Sequence, residues 1–276
     1  MFRKSIVTLL LGFGLCLLHK QVQAQGLSVS PSRMFFTGNA GKVVSQQLEF
    51  RNNGSELVAL RAAVKDWQRD SLGEKVYADP GTFPASNARW LDVVPDLTEI
   101  PAGGKAMVTV FMRIPEGAPA GGVTNAMLFF TQVNEQKAFT QQVQGHKVGI
   151  NIKLEMGVHV YYTPGMKVRK EIDFVAFEDR GLQNVAADTV QRLAVKIKNS
   201  GEVMADGHIR LELTDKDTGE EIKYPGRAIS MLPGAEQTVF LDIRPLKGHK
   251  HVLAVALLDC GPDTDLKVAE KDLAYE

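Results

Sequence analysis

The chain has 276 residues, 44% hydrophobic and 23% charged, with 32 basic side chains against 32 acidic ones. That balance leaves no basic stripe and excludes nucleic acid as a natural partner. Of its two cysteines, Cys16 lies in the apolar leader and Cys260 far downstream, so a disulfide framework is excluded as well.

Residues 1–24 read as a secretory signal. Arg3 and Lys4 precede an apolar run over 6–18, and Val22-Gln23-Ala24 supplies the small residues of a cleavage site. The run is too short to span a bilayer as a helix, and the mature chain is expected to have no transmembrane segment. Export to the periplasm follows.

Beyond the signal, helical periodicity is nearly absent. Short alternating runs at 27–29, 43–50, 57–67, 106–113 and 124–131 are divided by Gly-, Pro- and Asn-rich turns such as Asn52-Asn53-Gly54-Ser55 and Pro101-Ala102-Gly103-Gly104. This pattern predicts an all-β sandwich. Trp67 and Trp90 are expected in or near its core. Asp66, Asp70 and Glu74 read as a solvated turn, and 132–147, polar and Gln-rich, reads as a loop.

The sharpest feature is 148–160. Val148, Ile150, Ile152, Leu154, Met156, Val158 and Val160 alternate with Gly149, Asn151, Lys153, Glu155, Gly157 and His159. Period two without a break predicts one long strand with one apolar face. Thr163-Pro164-Gly165 then breaks the pattern. A second series follows at 171–177, 191–198, 207–214, 228–230, 237–243, 251–258 and 266–269. The expected organisation is therefore a signal at 1–24 and two immunoglobulin-like β-sandwich domains in tandem, 25–162 and 163–276.

No P-loop, dinucleotide fingerprint or nucleophile elbow is present. His249 and His251 lack further ligands at zinc spacing. No cofactor, metal or catalytic site is expected, and the protein reads as a binding protein rather than an enzyme. Arg33, in SPSRMFF, and His159, on the polar side of the long strand, are expected to approach the cleft between the domains. A cationic pair there would hold a carboxylate.

These residues carry a resemblance. SPSRMFF, VVSQQLEFRNNGSE, VKDWQRD, RWLDVVPDLTEIPAGGKAMVTVFM and VGINIKLEMGVHVYYTP resemble, in that order, successive segments of the PapD-like periplasmic pilus chaperones, over that family's two-domain length. The resemblance implies that Arg33 binds the terminal carboxylate of a secreted or pilus-type subunit. His159 falls where the family has a lysine, which is a departure. It also implies that Val148, Ile150, Ile152, Leu154 and Met156 complete an unfinished sheet of that subunit by strand addition. Some phrases, such as IPAGG, LAVKIKNSGE and LPGAEQ, also show a looser similarity to Ig-like modules of the cell envelope. A structural or adhesive module binding a surface protein or peptidoglycan is therefore the alternative, and the oligomeric state is left open.

Overall fold

The computed structural model describes residues 26–134, 139–143, 146–150, 153–165, 169–246, 248–262 and 264–274. The predicted signal, 1–24, lies outside them. Up to residue 163 the strands are β1 (Leu27–Ser30), β2 (Arg33–Thr37), β3 (Val43–Asn52), β4 (Val58–Arg69), β5 (Lys75–Ala78), β6 (Leu91–Val94), β7 (Leu97–Ile100), β8 (Lys105–Arg113), β9 (Thr124–Gln132), β10 (Phe139–Val143), β11 (His146–Ile150) and β12 (Glu155–Thr163). After it come β13 (Ile172–Val185), β14 (Asp188–Asn199), β15 (Ala205–Asp215), β16 (Glu221–Lys223), β17 (Arg227–Met231), β18 (Glu236–Ile243), β19 (His251–Asp259) and β20 (Lys267–Ala274).

The fold is all-β, two immunoglobulin-like sandwiches in tandem, as the alternation predicts. In the first, a sheet ordered β1-β3-β8-β6 faces one ordered β2-β12-β9-β4-β5, with β7 also on β4. In the second, β13-β14-β18 faces β16-β15-β19-β20, with β17 on β15. Among the described residues no ladder joins a strand of one sandwich to a strand of the other.

Each core follows from strand parity. On β3, Leu48 and Phe50 point inward; on β8, Val108, Val110 and Met112; on β12, Val158, Val160 and Tyr162. The rings of Phe50 and Phe130 meet edge to face across the core, with centroids 4.7 Å apart. The second core sets Val195 and Ile197 of β14 against Ile209, Ala256 and Leu258.

Both sandwiches use the same corner. Asn52 is buried at the end of β3, and its amide donates to the carbonyls of Glu56 (2.7 Å), Ile100 (3.1 Å) and Pro101 (3.1 Å). Its Oδ1 accepts from Gly54 N. Asn199, at the end of β14, donates to the carbonyls of Val203 and Met231 and accepts from Gly201 N. The matching phrases NNG and NSG are the visible trace of this shared device.

Three expectations need correction. The acidic trio is not a solvated turn throughout. Asp66 is fully buried and accepts from Gly81 N, Phe83 N and the Ser86 hydroxyl, which pins the 79–90 connection. Asp70 does sit in an exposed turn, accepting from Leu72 N and Glu74 N. The segment 132–147 is not simply a loop, because β10 and β11 pair within and just beyond it as a hairpin. The predicted long strand at 148–160 is two strands in two sheets. Alternation reports which face a residue takes and is silent about a change of partner.

Candidate functional site

Val148 and Ile150 lie on β11, opposite Gln141 and Phe139 of β10. Ile152 lies outside the described residues. Leu154 precedes β12 and is 39% exposed. Met156 lies on β12 opposite Phe130 and packs on the first core. The five residues therefore do not share one strand.

β12 has two unlike edges. Along one, Glu155 to Tyr162 pair antiparallel with β9. Along the other, β2 runs parallel to it, but only from His159↔Arg33 to Thr163↔Thr37. His159 N–H donates to Ser32 O on that second edge. By strand alternation the main-chain groups of Gly157 and Glu155 point the same way. No described strand pairs with them there.

The open edge ends at the outer face of the sheet, where β2 and β12 set Arg33 beside His159 and Phe35 beside Tyr161. The rings of Phe35 and Tyr161 stack at 5.3 Å. Trp67 is buried here, on the outer face of the sheet. It packs with Met127 and Tyr161 beneath Met204 and Leu232 of the second sandwich. Its indole N–H donates to Ala126 O at 3.1 Å. Trp90 packs on the first core, edge to face with Tyr162.

His159 lies against the edge of Trp67, centroids 4.6 Å apart, and parallel to Tyr161. Its Nε2 is 3.3 Å from Lys75 Nζ. An ammonium can only donate, so Nε2 accepts and the imidazole proton sits on Nδ1. Nδ1 is buried without a protein partner. Burial first, then the charges of Lys75, Arg33 and Arg69, push the His159 pKa down to about 4, so the ring is neutral at neutral pH. Burial likewise pushes the Tyr161 phenol up to about 12.

Arg33 Nη1 donates to Asp206 Oδ2 of the second sandwich at 2.5 Å, and this pair holds the guanidinium pKa above its usual value. Arg69 closes β4. Its guanidinium lies 5.9 Å from the centre of the Trp67 ring, donates to Gly73 O, and keeps Nε buried without a partner. Burial, Arg69 and Arg33 together depress the Lys75 ammonium.

Arg33, Arg69, Lys75 and Asp206 line a cleft of about 1160 Å³ between the sandwiches, with Lys170, Arg210, Arg227 and Cys260 also on its walls. The structure thus brings Arg33 and His159 to one place. Lys75 and Arg69, absent from the sequence reading, join them. Their only sequence signal is a pair of basic residues flanking the Asp70–Gly73 turn. Elsewhere, His249 Nδ1 meets Asp215 Oδ2 at 2.5 Å and His251 meets Asp217 at 3.1 Å. Among the described residues no three potential metal ligands converge.

The chain is similar in structure to fimbrial chaperones. One likeness is to a chain of the CsuC–CsuE chaperone–tip adhesion subunit pre-assembly complex of Acinetobacter baumannii, with TM-score 0.47 and 13% identity, over 89% of this chain and 97% of that one. A second is to the YadV chaperone, with TM-score 0.46 and 9% identity, over 90% and 99%. A third is to a chain of the Salmonella enterica SafA pilin–SafB chaperone complex, with TM-score 0.46 and 12% identity, over 90% and 97%. No family model and no curated protein matches. No helix among the described residues is long and apolar enough to cross a membrane.

Proposed function

We propose that the protein is a non-enzymatic, periplasmic, chaperone-like protein that binds a secreted or pilus-type subunit by β-strand addition. Its two domains are taken as 25–162 and 163–276, after a signal at 1–24. The observation that carries the reading is the open edge of β12 over Glu155–Val158, in line with β2 and ending at Arg33. A guest strand laid there parallel to β12 would run head-on toward β2. Its carboxyl end would arrive at Arg33 and His159. Main-chain hydrogen bonds would supply affinity, and side chains flanking the edge, Leu154 and Met156 among them, would supply fit. Val148, Ile150 and Ile152 extend the apolar sequence upstream of that edge. Arg33 offers the charge, and the neutral His159 forms the floor beside it.

The test uses Gly157→Pro, which deletes an amide facing the open edge and spares the β9 ladder. Wild-type protein co-expressed with an exported Ig-like subunit that lacks a strand should co-purify with it. The variant should lose that capture while keeping its thermal midpoint within a few degrees. Undiminished capture by a folded Gly157→Pro protein overturns strand addition at β12.

A further inference from the structure

We infer that Glu155 selects the charge of the guest strand: the segment laid along the open edge of β12 carries a lysine or arginine in the rung beside Glu155, two residues before the rung beside Gly157. The inference rests on the strand-addition reading and names the side chain that this edge favours in a guest.

Strand parity sets the geometry. Val158 and Val160 point into the first core and Met156 packs against it, so Glu155, Gly157 and His159 form the outward row of β12. A guest strand would lie about 4.8 Å away, with its own outward side chains directly beside this row. Gly157 offers no side chain there, and the His159 ring is neutral at neutral pH. The charge along the open rungs is therefore that of Glu155 alone, which is exposed at the start of the strand.

Elsewhere in the fold several strand carboxylates take a cation from the strand alongside. Asp242 pairs with Arg192, Glu236 with Lys196 and Lys198, and Glu49 with Lys105. Glu155 has one described strand neighbour, β9, and β9 supplies a hydroxyl: Thr131 Oγ1 donates to Glu155 Oε2 at 2.7 Å. Among the described residues no cation pairs with Glu155. Lys153, two residues upstream, and Arg61, opposite Thr131 on β4, are also exposed and do not close on it. The neighbour that would bring a cation is the one missing from the open edge. A basic guest residue would complete the pair, and an acidic one would be repelled. Exposed pairs are weak, so the main-chain rungs would hold the guest and this contact would sort one guest from another.

The probes are peptides of sequence Thr-Val-Thr-Val-X-Val-Thr, labelled at the amino end and free at the carboxyl end, with X lysine, norleucine or glutamate. In register, X stands beside Glu155 and the last threonine beside Gly157. Binding is read by fluorescence anisotropy. Wild type should bind the lysine peptide about tenfold tighter than the glutamate peptide, with norleucine between them. The gap should narrow at high salt. Glu155→Lys should reverse the order and Glu155→Gln should erase it. Glu155 is exposed, so its variants should fold as the parent does. An unreversed order in Glu155→Lys overturns the pairing. The two readings fail separately. Peptides that bind wild type no better than Gly157→Pro remove strand addition, and the pairing with it. Binding that needs Gly157 but ignores the charge at X removes the pairing alone.

Discussion

His159 carries the clearest residue-scale consequence. Its pKa in the folded protein lies near 4, below the ordinary 6.5, because the ring is buried among Lys75, Arg33 and Arg69 with Asp206 as the opposing charge. The unfolded chain therefore takes up the proton first. Stability from this site is complete above pH 6.5 and declines as pH falls from there toward 4. Urea midpoints measured at pH 7 and pH 5 should fall further for the wild type than for His159→Gln. Equal falls would show that the ring is not held neutral by its surroundings. Arg33 and His159 were legible because each sits beside a recognisable apolar pattern whose parity sets its face. Lys75 and Arg69 were not legible. They reach the site only because β4 and β5 fold back on each other, and the distance closed by such a turn is not written in local periodicity.

Among the elements, the two asparagine corners show how a short phrase can fix the end of a strand. Asn52 donates to the carbonyls of Glu56, Ile100 and Pro101 and accepts from Gly54 N, which ties the end of β3 to two neighbouring segments. Asn52→Ala should cost about 2 kcal/mol in denaturant unfolding, since it removes a buried amide whose hydrogen bonds include one to the buried Ile100 carbonyl. A loss below about 1 kcal/mol would mean that water replaces the amide. The strands on either side of these corners were readable from alternation and turn residues. The break between β11 and β12 was not, because both pieces keep the same period. What changes there is the neighbour, from β10 to β9, and pairing partners are a tertiary property.

At the level of the whole molecule, the junction is held by a few contacts. Met204 and Leu232 cover Trp67 and Met127, Arg33 bonds Asp206, and Thr238 N donates to Ser71 O at 2.8 Å. The ion pair is more than a third exposed on both sides and contributes no more than about 1 kcal/mol. Leu232→Asp should set a carboxylate against the Trp67 cluster and let the sandwiches separate. Small-angle scattering should then give a larger radius of gyration at an unchanged β-sheet signal. An unchanged radius would place the hold elsewhere. The gap beside Glu155–Val158 has a cost of its own. Unpaired main chain can recruit a second copy of the same protein as readily as a guest. Here the exposed rung is only four residues long, flanked by the Glu155 carboxylate and stopped by β2. A second copy laid along so short a notch could make only a few main-chain hydrogen bonds before β2 stops it.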